Sequence, residues 1–255
     1  MSGSRIIVLT GASGKLGSVL LTHLLEAGST VIATTRREDS AAALCGQHEA
    51  AVAAGRLAIW SGDLAAPGAI DDLTCFARDV GSPYGLINNA RNIGLLRMEE
   101  DGRVSRAHFS GELMLDAIVP YELTMAFAMA EGSRLARVVN ISSMYGVVAA
   151  NPALYEDPAR QSPIHYSVAK AALIHLTREL AVRLASRKIC VNAVTFGGVE
   201  GRADPAFLRR YAQLSPSGRM LNEDEVIAPV DFLLSVGASA VTGHNLIVDG
   251  GWSVW

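Results

Sequence analysis

Residues 5–26 read RIIVLTGASGKLGSVLLTHLLE: an apolar run, a loop with three glycines, and an apolar segment of helical periodicity. The run Ile6–Leu9 has the length and the β-branched residues of a buried strand. Glycines at positions 11, 14 and 17 allow a tight turn and a close approach of the backbone to a bound anion. The helix that follows offers free N–H groups and the positive end of its dipole to the same anion. The stretch therefore predicts a strand–turn–helix unit that binds the pyrophosphate of a dinucleotide.

The rest of the 255-residue chain alternates β-branched runs with longer segments of helical periodicity. This alternation is typical of βαβ units, in which helices cover both faces of a parallel sheet. No linker, repeat or low-complexity block interrupts it, so the sequence predicts one doubly wound α/β domain over residues 1–255. The predicted strands are Arg5–Thr10, Thr30–Thr35, Leu57–Ser61, Gly85–Asn88, Arg137–Ile141, Ile189–Val194 and Asn245–Val248. The predicted helices are Leu16–Glu26, Asp71–Val80, Asp116–Ala130, Ser167–Ala185 and Asp224–Leu234, with a short one around Ala206–Tyr211.

Two stretches break this alternation. Residues 148–164 contain three prolines, which exclude a regular helix or a central strand. Residues 197–220 are rich in glycine, proline and arginine. Both leave from the carboxyl ends of predicted strands, where doubly wound sheets bind their ligands. We therefore expect both stretches to cover a site.

The composition excludes several classes of protein. Half of the residues are hydrophobic and 18% are charged, which is enough apolar material for a buried core. A net charge of -3 gives no basic footprint for a nucleic acid or an anionic membrane. The cysteines at 45, 75 and 190 are scattered and no histidines cluster, so we expect no disulfide framework and no metal site. The N-terminus has no cationic stretch before a long apolar run, and we expect a cytoplasmic protein.

The residues after the second predicted strand indicate which nucleotide is preferred. They read Thr34-Thr35-Arg36-Arg37, with no carboxylate before Glu38. Arginine suits the 2′-phosphate of NADP, whereas an acidic residue would hold the ribose hydroxyl of NAD. The sequence therefore favours NADP(H) and leaves NAD(H) open. Asp63, after the third strand, is placed either to bind the adenine amino group or to cap the next helix.

A serine and a tyrosine–lysine pair supply the candidate chemistry. Ser143 follows the strand Arg137–Ile141, at its carboxyl end. Tyr166 and Lys170 are four residues apart and so lie on one face of a helix, one above the other. A nearby ammonium stabilises tyrosinate, and such a phenol exchanges protons with a hydroxyl or a carbonyl near neutral pH. YxxxK alone is a weak signal, and its weight comes from occurring in order after the glycine loop and the serine.

The ordered motifs resemble the short-chain dehydrogenase/reductase family over essentially the whole chain. They are TGASGKLG at 10–17, DL at 63–64, NNA at 88–90, NISS at 140–143, YSVAK at 166–170, VNAV at 191–194, VTG at 241–243 and VDGGW at 248–252. The resemblance implies a seven-stranded Rossmann-type sheet, a nicotinamide cofactor and a homotetramer or homodimer. It makes Ser143 the residue that orients the substrate, Tyr166 the acid/base, and Lys170 a ribose ligand that tunes the phenol. The expected cofactor residues are Gly11, Ser13, Gly14, Lys15, Leu16, Gly17, Arg36, Arg37, Asp63, Leu64, Asn89, Ala90, Arg91, Tyr166, Lys170, Gly197 and Val199.

The chain departs from the family pattern at several of these positions. Lys15 takes the place of the middle glycine, Arg91 replaces the glycine of NNAG, and Phe196 replaces a proline. Gly201 takes the place of a threonine that often contacts the cofactor. The helix asparagine that completes the catalytic set aligns with Asp116. An ionised aspartate cannot donate a hydrogen bond, which puts a proton relay through this position in doubt.

The interval between Ser143 and Tyr166 is longer than usual for the family. Together with MYGVVA at 144–149 and SPIHY at 162–166, it resembles the branch associated with nonulosonate and flagellin sugar modification. The candidate substrate residues are Arg91, Tyr145, Tyr155 and His165. Arg91 as a solvated loop residue and His165 as a simple helix-start residue remain equally open.

The sequence predicts an NAD(P)(H)-dependent oxidoreductase that interconverts a secondary alcohol and a ketone on a small, polar or sugar-like substrate. The first alternative is a 3-oxoacyl-(acyl-carrier-protein) reductase, for which Arg202, Arg209 and Arg210 would form a basic docking patch. The second is a catalytically silent, cofactor-binding regulatory protein, favoured by the altered positions and opposed by intact Ser143, Tyr166 and Lys170.

Overall fold

The computed structural model describes residues 5–201 and 203–255, so Arg202 of the predicted basic patch lies outside the described residues. Its centre is a seven-stranded parallel sheet in the order β3-β2-β1-β4-β5-β6-β7. The strands are β1 Ile6–Leu9, β2 Thr30–Thr35, β3 Leu57–Ser61, β4 Gly85–Asn88, β5 Arg137–Ser143, β6 Cys190–Phe196 and β7 Asn245–Val248. The order reverses between β1 and β4, which opens a crevice at the carboxyl ends of these strands. The predicted doubly wound α/β fold is confirmed.

Ten α-helices surround the sheet within the described part of the chain. They are α1 Lys15–Glu26, α2 Glu38–Gln47, α3 Glu49–Ala53, α4 Ala69–Val80, α5 Arg106–Leu113, α6 Val119–Met129, α7 Pro158–Gln161, α8 Ile164–Leu184, α9 Pro205–Leu214 and α10 Ile227–Leu234. A π-helical turn, Met114–Ile118, joins α5 to α6. Of the helices described, none is both long and apolar enough to cross a membrane.

Apolar side chains fill both faces of the sheet. Ile7 and Leu9 belong to the cluster on one face and Val8 to the cluster on the other, because successive residues of a strand point to opposite sides. Leu21 of α1 packs into the first cluster and Leu123 of α6 into the second, both fully buried. The two helical layers therefore hold the strand ends in fixed positions.

The predicted start of the helix Asp116–Ala130 is wrong. The chain is already helical in α5, where the Ser105 hydroxyl accepts a hydrogen bond from the backbone N–H of His108 and caps the helix. Apolar residues do not recur at helical spacing in α5, so periodicity could not indicate it. The same lack of an apolar stripe explains why α2 and α3 were not predicted.

The two irregular stretches come together above the crevice. Residues 148–164 contain only single turns, as the prolines require, and α9 within 197–220 is longer than predicted. Arg210 of α9 donates from Nε to the carbonyl of Leu154 at 2.7 Å and lies 3.3 Å from Glu156 Oε1. These bonds join the two stretches into one cover.

Candidate active site

The glycine loop packs too tightly for side chains. Gly11 has a φ of +65°, and a Cβ there would lie 2.7 Å from Ala90 Cα. A Cβ on Gly17 would lie 2.1 Å from the Gly11 carbonyl oxygen, closer than any real contact. Gly14 immediately precedes α1 at its N-cap position, and no described side chain caps the helix. The first N–H groups of α1 therefore face the crevice, as an anion site requires.

Thr10 and Asn89 fix this loop against the end of β4. The Thr10 hydroxyl accepts hydrogen bonds from the backbone N–H groups of Asn89 and Ala90, both at 2.9 Å. The Asn89 side-chain amide donates to the carbonyls of Thr10 and Gly11 at 3.0 and 3.1 Å. Asn89 thus positions the loop through its own side chain.

One cleft of about 790 Å³ runs from the glycine loop to the start of α8. This volume is typical of a small-molecule or cofactor site. The predicted residues that line it are Gly11, Ser13, Gly14, Lys15, Leu16, Arg36, Arg37, Asp63, Leu64, Asn89, Ala90, Arg91, Ser143, Tyr145, Tyr155, Tyr166, Lys170, Gly197 and Val199. Gly17, Asp116 and His165 lie behind its wall. No group of three His, Cys, Asp or Glu side chains in residues 5–201 and 203–255 is arranged to hold a metal ion.

Lys15 bridges the two sides of the cleft. Its ammonium donates to the carbonyl of Val199 at 2.8 Å and lies 3.6 Å from a carboxylate oxygen of Glu223. Because Lys15 begins α1 and Val199 follows β6, the side chain ties the glycine loop to the stretch under α9. A glycine at position 15 has no side chain and could not form these contacts.

The end of β2 carries the two arginines. Arg36 and Arg37 are exposed, and Arg37 lies 3.2 Å from Asp39. Asp63 accepts a hydrogen bond from the N–H of Ala65 at 3.0 Å and closes a turn, while α4 begins after Gly68. The alternative in which Asp63 caps the next helix is therefore wrong. Asp63 itself lines the cleft.

Helix α8 carries the tyrosine and the lysine one turn apart. Lys170 is 6% exposed, and its ammonium donates to Asp116 Oδ1 at 2.9 Å and to the carbonyl of Ile141 at 3.0 Å. The ammonium is also 5.8 Å from the centroid of the Tyr166 ring. The guanidinium of Arg91 lies over the same ring, 4.6 Å from its centroid. Two cations therefore flank the phenol ring.

The serines at the end of β5 anchor this arrangement. The Ser143 hydroxyl accepts from the N–H of Tyr145 at 3.3 Å, and the Ser142 hydroxyl donates to the carbonyl of Lys170 at 3.2 Å. Gly146 lets α8 approach, since a Cβ there would lie 2.8 Å from the carbonyl carbon of Lys170. Gly146 was not among the predicted site residues. The signal in the sequence was a glycine three residues after the candidate serine.

A second missed residue is Glu112, which is 1% exposed. Burial and the neighbouring Asp116 charge raise its pKa to about 7, while the charges of Arg91 and Lys170 oppose the shift. The sequence signal was a glutamate four residues before the aspartate, the spacing of side chains on one helix face.

Aromatic side chains form the wall of the cleft near Tyr166. The hydroxyls of Tyr145 and Tyr155 hydrogen-bond to each other, and the Tyr155 ring meets Phe207 of α9 edge-on at 5.9 Å. Burial, with the Tyr155 phenol beside it, raises the pKa of Tyr145 far above its usual range, so this hydroxyl stays protonated. Tyr211 accepts from the N–H of Gly198 at 2.9 Å. The wall is therefore aromatic, and its hydroxyls are bonded to each other or to the backbone.

His165 does not reach the cleft. It is fully buried, its Nε2 lies 2.7 Å from the carbonyl of Leu95, and its ring packs against Phe109 of α5. Of the four candidate substrate residues, the structure brings Arg91, Tyr145 and Tyr155 to the cleft and leaves His165 behind it.

Comparisons with known proteins find relatives in both sequence and fold. Residues 16–253 match a family model described as enoyl-(acyl carrier protein) reductase. Post-translational flagellin modification protein A of Campylobacter coli is 37% identical over 117 residues, 46% of this chain and 46% of that protein. A 3-oxoacyl-[acyl-carrier-protein] reductase of Vibrio harveyi is 29% identical over 97% of this chain and 96% of its own length. A short chain dehydrogenase from Leptospira borgpetersenii, crystallised with bound NAD+, has a TM-score of 0.84 at 26% identity, covering 98% of this chain and 93% of that one. The match spans about half the length of the flagellin protein.

Proposed function

We propose, because the chain belongs to the short-chain dehydrogenase/reductase family, that it is an NAD(P)(H)-dependent oxidoreductase interconverting a secondary alcohol and a ketone. One observation carries the proposal: Ser143, Tyr166 and Lys170 line the same cleft as the glycine loop. A proton-transfer group and a dinucleotide cradle in one cleft are what hydride-transfer chemistry needs.

The cleft residues fit a nicotinamide dinucleotide. The close packing around Gly11 and Gly17 leaves room only for backbone, so a pyrophosphate would meet the N–H groups at the start of α1. Arg36, exposed at the end of β2, supports NADP(H) over NAD(H), since guanidinium matches phosphate in shape and charge. When bound, the cofactor supplies or accepts the hydride.

The proposed roles of the side chains are those that the resemblance to the family implies. Tyr166 Oη gives a proton to the carbonyl oxygen in reduction and takes it back in oxidation. Ser143 donates a hydrogen bond to the same oxygen and orients it. Lys170, whose ammonium is held between Asp116 and the Ile141 carbonyl, stabilises the phenolate form of Tyr166.

We also propose a polar, sugar-like substrate. The exposed guanidinium of Arg91 beside the Tyr166 ring supports an anionic or hydroxylated group near the reacting carbon. Tyr145 and Tyr155, which line the cleft with an aromatic ring and a hydroxyl each, support the same class. The likeness to a flagellin modification protein supports the same class, although it covers less than half of this chain.

A parallel assay tests the substrate class. NADPH oxidation is measured with a panel of keto sugars, some with a carboxylate, and with acetoacetyl thioesters. We expect turnover with the sugars and little with the thioesters. The likeness to a 3-oxoacyl reductase favours the opposite result, but Arg210 of the predicted docking patch is engaged by Leu154 and Glu156. Thioester turnover without sugar turnover would replace this proposal by the acyl reductase.

Further features support proposals on assembly and location. Exposed apolar side chains on α6 and α8, such as Tyr121, Met129 and Val182, support a homotetramer or a homodimer. All seven strands share one sheet, which supports a single domain over residues 1–255. The three cysteines are free thiols, which supports a reducing cytoplasmic compartment.

A further inference from the structure

Two carboxyl groups are buried beside Lys170. Glu112 at the end of α5 and Asp116 in the π-helical turn are 1% and 3% exposed. They are four residues apart, which places both side chains on one face of the helix. Two ionised carboxylates buried side by side repel each other, which favours a proton on one of the two. Among the described residues, none donates to Glu112 Oε1 or to Asp116 Oδ2. We call Glu112 and Asp116 the carboxyl pair.

The buried charges around the carboxyl pair balance only if it holds one proton, since Arg91, the other cation that acts on Glu112, is exposed. The Lys170 ammonium lies 2.9 Å from Asp116 Oδ1 and supplies one positive charge inside the protein. With one shared proton the pair carries one negative charge, and the buried cluster is neutral. Without it, a second negative charge would be buried with an unsatisfied oxygen, which is unfavourable.

Building on the proposed function, we infer that Glu112 and Asp116 share one proton during turnover. Glu112 is thereby a positioning residue. While the carboxyl pair holds its proton, it carries one negative charge rather than two. The Lys170 ammonium can then still stabilise the phenolate form of Tyr166. When the proton leaves, the second negative charge competes with the Tyr166 phenolate for the one ammonium, and proton transfer slows. The family's asparagine at position 116 would not create this dependence.

The surroundings of Glu112 place the titration in the working range of pH. The groups that act on it are Asp116 from the π-helical turn, Arg91 from the segment after β4, and Lys170 from α8. His165 of α8 also packs against α5 through Phe109, but its Nε2 is bonded to a carbonyl. Burial acts most strongly and raises the pKa of Glu112 to about 7.

Infrared spectroscopy tests the shared proton without substrate. The full-length protein is titrated, and its spectra are compared with those of Glu112→Gln and of Glu131→Gln, which alters an exposed glutamate after α6. We expect a protonated-carboxyl C=O band near pH 6 that fades with a midpoint near pH 7, is absent in E112Q and persists in E131Q. Asp116→Asn should move that midpoint to lower pH, because it removes a charge that raises the pKa of Glu112. No band assignable to Glu112, or an unmoved midpoint, would overturn the inference.

The pH dependence of the rate tests the positioning role. Between about pH 6 and pH 8.5, the rate of proton transfer relative to its maximum should fall further in the wild type and E131Q than in E112Q, by up to about thirtyfold, the loss of protonated Glu112 over this range. The same fall in E112Q would overturn the role. Because the infrared titration needs no turnover, an inactive protein with a titrating Glu112 would refute the proposed function, while leaving the shared proton supported.

Discussion

Replacing Glu112 by glutamine removes a buried acid and should change how stability depends on pH. Folding raises the pKa of Glu112 from 4.5 to about 7, so the folded state binds its proton more tightly than the unfolded state. Its contribution to the free energy of unfolding is therefore fully present below pH 4.5 and is lost as pH rises through about 7. For these two pKa values the linkage relation gives a loss of about 2 kcal/mol between about pH 5.5 and pH 8.

Urea unfolding of the wild type and of Glu112→Gln at several pH values measures this difference. The wild type should lose about 2 kcal/mol relative to E112Q over that range, because glutamine does not titrate. Titrating groups that do not interact with Glu112 are common to both proteins and cancel in the difference. Glu131→Gln should give a difference from the wild type that stays flat with pH, since Glu131 is exposed. A flat difference for E112Q as well, or one of opposite sign, would refute the account of Glu112.

Other parts of the site give further predictions. Arg36→Ala should weaken NADPH binding by about 2 kcal/mol, roughly thirtyfold in Kd, and NADH binding far less. Binding titrations that show equal losses for both cofactors would contradict the assignment of Arg36 to the 2′-phosphate. Gly17→Ala should destabilise the fold by about 1–3 kcal/mol and weaken cofactor binding, because its Cβ would lie 2.1 Å from the Gly11 carbonyl oxygen. Gly46→Ala in α2 is the control, since a Cβ at this position would meet no other atom within 4 Å. Normal cofactor binding by G17A would contradict the prediction. Arg210→Ala should raise KM about fivefold, because it frees α9 from the Leu154 carbonyl. Arg209 is exposed, and Arg209→Ala should leave KM unchanged. Equal effects of the two variants would contradict the claim that Arg210 holds the cover over the cleft.

The sequence was sufficient for the sheet because strand patterns are local. Four strands, β2, β3, β4 and β7, begin and end at the predicted residues. Strands β5 and β6 extend further than predicted, since Ser143 pairs with Phe196 in the parallel register although a serine interrupts the apolar pattern. Their buried hydroxyls point to a site at this edge, where function overrides the hydrophobic rule.

The site was predictable where a motif fixes the local geometry and unpredictable where distant elements meet. Tyr166 and Lys170 share a face because α8 is a regular helix. His165 is their close neighbour in sequence, yet its direction depends on how α5 and the Leu95 turn pack against α8. Spacing places Glu112 and Asp116 on one helix face, but the burial that raises the pKa of Glu112 comes from the packing of distant elements and could not be predicted from spacing.

The central claim is that Tyr166 transfers the proton in a cleft that holds a nicotinamide dinucleotide. Its most direct test is Tyr166→Phe, with single-turnover reduction and NADPH binding measured on the same preparation and Tyr121→Phe, exposed on α6, as the control. We expect Y166F to bind NADPH as the wild type does and to lose about 10²–10⁴-fold in turnover. Y121F should keep both NADPH binding and turnover. Near-normal turnover by Y166F would contradict it.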